Sequence, residues 1–99
     1  MDFEKEIILK SGRCVKVFAN AVQSHSRLAF ELIVLVRDPG ENTFYPPIGI
    51  NHSKYWQLKR LNPQLAGILQ LTHSGISDKD LKQILADIED MITPETSIN

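Results

Sequence analysis

Three histidines, His25, His52 and His73, are each followed by a serine. Three neutral imidazoles can hold zinc and leave an open position for a water nucleophile. Their spacings of 27 and 21 residues match no metal-ligand pattern, and each falls in a separate turn or helix end. Serine belongs at turns and caps in any case. No metal site and no cofactor are expected from them. Cys14 is the single cysteine. As a nucleophile it would need an imidazole beside it. The strand expected over about 13–23 would hold Cys14 and His25 roughly 30 Å or more apart at the usual rise per residue. A lone strand cysteine reads instead as a small packed hydrophobe. The five glycines are scattered singly, so there is no phosphate-cradling loop. The sequence thus predicts a protein that is not an enzyme.

A denser constellation is 54-KYWQLKR-60. Tyr55 and Trp56 could stack bases while Lys54, Lys59 and Arg60 contact phosphates. No Asp or Glu occurs between Glu41 and Asp78, which suits an anionic partner. Against this, the net charge is −1, and three cations without a wider basic field bind nucleic acid weakly. The competing expectation is that Tyr55, Leu58 and Leu61 with Trp56 pack this helix on a sheet, and that Arg60 lays its guanidinium over the indole four residues earlier.

The run from Ala66 to Ser77 has the shape of a helix-turn-helix. Its second helix opens on Asp78 and Asp80 and carries five acids against Lys79 and Lys82. A DNA duplex would repel that helix, so the run is read as an ordinary helical hairpin.

The elements that must position these residues follow from periodicity. Strands are expected over about 4–10, 13–23 and 27–37, with Ser11-Gly12 as a two-residue hairpin turn and Ser24-His25-Ser26 as the second turn. On the second strand Val15, Val17, Ala19 and Ala21 share one face. On the third, Leu28, Phe30, Leu32, Val34 and Val36 form a wholly apolar face. Asp38-Pro39-Gly40 predicts a turn. Pro46-Pro47 keeps the next stretch a loop, anchored by the rings of Phe44 and Tyr45. Helices are expected over about 52–61, 63–73 and 78–92. Asn51 or Ser53 caps the first. Asn62-Pro63 separates the first from the second, Gly75 closes the second, and Ser77 opens the third. The second helix is expected to present Leu65, Ile68, Leu69 and Thr72. The third presents Leu81, Ile84, Leu85, Ile88 and Ile92, the clearest helical stripe in the chain. Its Asp87, Glu89 and Asp90 sit where they oppose the helix dipole.

The expected fold is therefore α+β: a three-stranded antiparallel meander followed by three helices packed on one face of the sheet, in the order β-β-β-α-α-α. Ninety-nine residues allow one domain, here 1–92, with 93–99 as a tail. Lack of a paired cysteine, of a signal-like N-terminus and of a long apolar run points to a cytoplasmic protein with no membrane partner.

If all helices lie on the Leu28-to-Val36 face, the other face stays bare. Phe18, Val22, Ile33 and Leu35 are its apolar residues, and an exposed patch of this kind marks an interface. The expected function is a non-catalytic protein-interaction module that self-associates as a homodimer or binds another protein, acting as an accessory, inhibitor or subunit. Nucleic-acid binding through Lys54, Tyr55, Trp56, Lys59 and Arg60 is the alternative.

Overall fold

A computed structural model describes residues 2–24, 27–48 and 53–92, with side chains at 2, 21–24, 27–29 and 92 left aside. Three strands, β1 (Asp2–Ile8), β2 (Cys14–Ser24) and β3 (Arg27–Arg37), form one sheet in the order β1-β2-β3. Both pairs are antiparallel. Three helices follow: α1 (Ser53–Leu61), α2 (Pro63–His73) and α3 (Asp78–Ile92). This is the expected α+β order. The molecule measures 50 × 28 × 22 Å, thin enough for one sheet and one helix layer.

The register sorts the sheet into two faces. Val15 lies opposite Val36, Val17 opposite Val34 and Ala19 opposite Leu32. These residues are buried and form one core with Phe30, Leu71 of α2, and Ile84 and Ile88 of α3. Ile84 and Ile88 are the centre of the stripe read from the sequence. Ile92's side chain lies outside the described residues. Lys5 of β1 shares this covered face and reaches Asp87 of α3 at 3.7 Å. One of the acids at the wrong end of the α3 dipole thus has a cation beside it.

Two local expectations change. The first hairpin turns through three residues, Lys10-Ser11-Gly12, rather than two. Gly12 N–H donates to Leu9 C=O at 2.9 Å and Leu9 N–H to Arg13 C=O at 2.8 Å. Gly12 has φ 91°, the left-handed position that a three-residue hairpin loop requires. The longer loop ends β1 two residues earlier than periodicity suggests.

The second change is the face of α2. Ala66, Gly67, Gln70 and Leu71 are its buried residues. Leu65 is 47% exposed, Thr72 is exposed, and Ile68 and Leu69 are half-buried. The reason is a close approach. A Cβ on Gly67 would lie 2.3 Å from Leu32 Cβ and 2.9 Å from Leu32 O. The helix turns its smallest residues to β3 so that the backbones can meet. A stripe drawn through the largest side chains misses such a contact.

Ser77 caps α3 as read, and Asn62, read only as a break in the helix, also caps α2. Asn62 Oδ1 accepts from Leu65 N–H at 3.1 Å at the start of α2, and Ser77 Oγ accepts from Asp80 N–H at 3.1 Å at the start of α3. Ser53 is the first residue of α1, and Asn51 lies outside the described residues.

Candidate functional site

Among the described residues the chemistry-bearing side chains do not converge. Cys14 is buried. Burial, reinforced by the nearby Glu6 carboxylate, pushes its thiol pKa up, away from the thiolate a nucleophile needs. His73 donates from Nδ1 to Leu69 C=O at 3.0 Å, one turn back on its own helix. His25 and His52 lie outside the described residues. Among the described residues no three of His, Cys, Asp or Glu gather to hold a metal ion, and no helix is long and apolar enough to cross a membrane.

What the fold does build is a bare sheet face bordered by a cleft. Opposite the core, β2 and β3 present Phe18 paired with Ile33 and Lys16 paired with Leu35. Ile33 is 41% exposed and Ile8 of β1 is 65% exposed. Phe18 and Leu35 are half-buried, and Cys14, at the β1–β2 turn end of this face, is buried. Val22 pairs with Ala29 in the backbone register, and its side chain is outside the described set. Phe44 folds under one end of this face. Lys16 Nζ stands 4.6 Å and the Arg37 guanidinium 4.8 Å from its ring centroid. Glu6 reaches Lys16 Nζ at 3.8 Å. The anchoring role expected of Phe44 and Tyr45 thus divides: Phe44 packs beneath cations on the bare face, and Tyr45 packs against the core.

The cleft runs along the outer edge of β3. Val36 exchanges both backbone hydrogen bonds with Tyr45, at 2.8 and 2.9 Å. Its N–H and C=O therefore point away from β2, and alternation makes Val34 and Leu32 do the same. Continuing that ladder would set Pro47 opposite Val34, and proline has no N–H to give. The ladder stops, and the loop leaves the strand. It is held instead by Gln70, whose Oε1 accepts from Ile48 N–H at 2.8 Å and whose Nε2 donates to Ile48 C=O at 3.4 Å. The resulting cleft, about 290 Å³, is walled by Ile33 and Leu35 on one side and by Tyr55, Trp56 and Lys59 of α1 on another. The two sets of residues singled out in the sequence, apolar and basic-aromatic, therefore border one space.

Within α1 the cation that meets the aromatics is Lys59. Its Nζ lies 5.3 Å from the Trp56 centroid and 5.9 Å from that of Tyr55. The expected Arg60–Trp56 stack is thus replaced by a contact from the residue before. The two rings meet edge to face, 5.4 Å apart. Packing of α1 onto the sheet is only partial. Leu61 is 85% and Trp56 43% exposed, Leu58 and Tyr55 are half-buried, and Lys54 and Arg60 are exposed. The signal for the cleft was present in the sequence as Pro46-Pro47 next to a strand apolar on both faces. Gln70 as the residue that closes its floor carried no sequence signal, because a glutamine on a helix is ordinarily solvated. No family model matches the chain, and neither a curated protein nor a solved structure matches it.

Proposed function

We propose that this chain is a non-catalytic protein-interaction module that self-associates through the uncovered face of its sheet. The observation that supports this reading is Ile33, 41% exposed in the middle of β3, flanked by Phe18 and Leu35 on the face opposite the one that Leu71 of α2 and Ile84 and Ile88 of α3 cover. Removing such apolar surface from water stabilises association by about 25 cal/mol per Å² before the costs of ordering. The test is solution mass by light scattering across protein concentration, at low and high salt. A dimer at both salts is expected, and Ile33→Lys or Leu35→Lys should shift it to monomer with an unchanged circular dichroism spectrum. A chain that stays monomeric at high concentration overturns the reading.

A second reading, binding of nucleic acid or another anionic partner along α1, is favoured by one observation: α1 has no buried residue and keeps Trp56 43% exposed. Lys59 over both rings counts against it, since it occupies faces that bases would stack on. Titrating Trp56 fluorescence with oligonucleotides tests it. Salt-sensitive quenching, lost in Lys59→Glu with Arg60→Glu, would favour this reading over the first.

A further inference from the structure

Along the bare face of β3 the side chains in order are Glu31, Ile33, Leu35 and Arg37, with Val34 at the midpoint. An acid ends the row on one side, a base on the other, and two branched aliphatics fill the middle. Neither Glu31 nor Arg37 makes an ion pair with a described residue; Arg37 rests on the Phe44 ring at 4.8 Å. A row of this kind is complementary to itself when reversed. We propose that two copies of the chain stack bare face to bare face about a two-fold axis that crosses β3 at Val34, so that Glu31 meets Arg37 of the second copy and Ile33 meets Leu35. This rests on the self-association proposed above and assigns its geometry.

The alternatives decide the axis. A two-fold axis lying along the strands would set β1 over β3 of the other copy. Glu4 and Glu6 would then be pressed on Ile33 and Leu35, because Glu4 lies on the rung of Phe18 and Ile33, and Glu6 on that of Lys16 and Leu35. Pressing carboxylates onto aliphatics strips their water, and Glu4 has no ion pair with a described residue to offset that loss. An axis across the strands avoids this. It places β3 over β3, and Phe18 opposite Lys16 of the second copy, a cation-over-ring approach. The β1 acids meet only at the solvated rim, where Glu6 already has Lys16 at 3.8 Å. Stacked sheets keep their strands within about 30° of each other, so the reversed row stays aligned along its length. Isologous contact of one patch with itself is the usual form of a two-fold interface.

Area sets the strength. Strands of about 35 Å, three abreast at about 4.8 Å, offer about 500 Å² per copy. The total of about 1,000 Å² is at the lower limit for a specific interface. A concentration-dependent dimer follows.

The experiment uses Glu31→Arg and Arg37→Glu in separate, isotope-distinguished chains, mixed and weighed by native mass spectrometry. In each single variant like charges face each other twice, and the homodimer should weaken by about tenfold. Mixed together they restore both opposite pairs, so the heterodimer should exceed the statistical share. The chain carrying both changes should dimerise as the wild type does, which also controls for folding. A dimer that ignores all three variants and mixes statistically overturns this axis while leaving self-association standing. A wild-type chain that is monomeric throughout overturns both.

Discussion

Arg13 grips Asp38 through both carboxylate oxygens, Nε to Oδ1 at 2.6 Å and Nη2 to Oδ2 at 3.0 Å. Its Nη1 also donates to Ser74 C=O at 3.1 Å, just past the end of α2, and Tyr45 OH donates to Asp38 Oδ2 at 2.7 Å. One guanidinium thus ties the first hairpin, the end of β3 and the end of α2. Bidentate arginine pairs are the ones with fixed geometry, and a cation at a helix C-terminus complements the dipole.

An acid limb in stability follows. The hydrogen bonds from Arg13, then Tyr45, hold the Asp38 carboxyl at about 2 against an ordinary 3.8. A folded-state pKa below the unfolded one adds stability that is complete above the unfolded value and is lost as pH falls through the folded one. Melting curves from pH 7 to pH 2 should show Asp38→Asn melting below the wild type at neutral pH. The gap should close between about pH 4 and pH 2. A constant gap across that range would mean the carboxylate charge is not what stabilises the junction.

Gly67→Ala should reverse a familiar trend. In a helix interior that change ordinarily gains about 1 kcal/mol. Here the new methyl would sit 2.3 Å from Leu32 Cβ, so α2 must move off β3. Overpacking of this order costs about 1–3 kcal/mol. A urea midpoint below that of the wild type is expected; a raised midpoint would contradict the close approach.

Gln70→Leu keeps the volume and removes both bonds to Ile48. The buried N–H and C=O of Ile48 lose their partner, at a cost of about 1–3 kcal/mol. Amide exchange at Ile48 should accelerate well before that of Val17 in the sheet centre. Unchanged protection at Ile48 would show that the loop is held by something else.

Cys14 should resist thiol reagents. Its side chain is buried and its thiol is held protonated by burial and by Glu6. The folded chain should stay unlabelled over the minutes in which the chain in denaturant reacts fully. Equal rates would place Cys14 at the surface.

The fold was legible because its signals were local and repetitive. Alternation fixed β2 and β3, where Val15, Val17 and Ala19 were rightly grouped opposite Leu32, Val34 and Val36. The 3.6-residue stripe fixed α3, and Asn62-Pro63 placed the break between α1 and α2. Failures arose where a contact depends on what is missing from a side chain. Gly67 is invisible to any count of apolar residues, although it sets how near α2 comes to β3. The same holds for Lys59, whose choice over Arg60 depends on how Tyr55 and Trp56 meet in space. For the site, Phe18, Ile33 and Leu35 could be grouped from period two alone. That they share a border with Trp56 required the turn of the chain at Pro46-Pro47, which no pairwise spacing encodes.

Both edges of the sheet are trimmed. On β1, Lys5 points a charge inward beneath α3, where it meets Asp87 at 3.7 Å. An added strand would have to accommodate that buried-side charge. On β3, Tyr45 occupies Val36 and α2 closes over Leu32 at Gly67, which leaves a short gap at Val34. Sideways growth, strand on strand without limit, is the route by which small sheets become fibres. With these obstacles on both flanks, the dimer proposed above would meet through the flat of the sheet, and a face that is covered once has no further copy to recruit. Replacing Pro46 and Pro47 with residues that carry an N–H would let the ladder run on past Tyr45 and give the sheet a new, longer edge strand, and the outcome to watch for is thioflavin-positive aggregate rather than loss of fold.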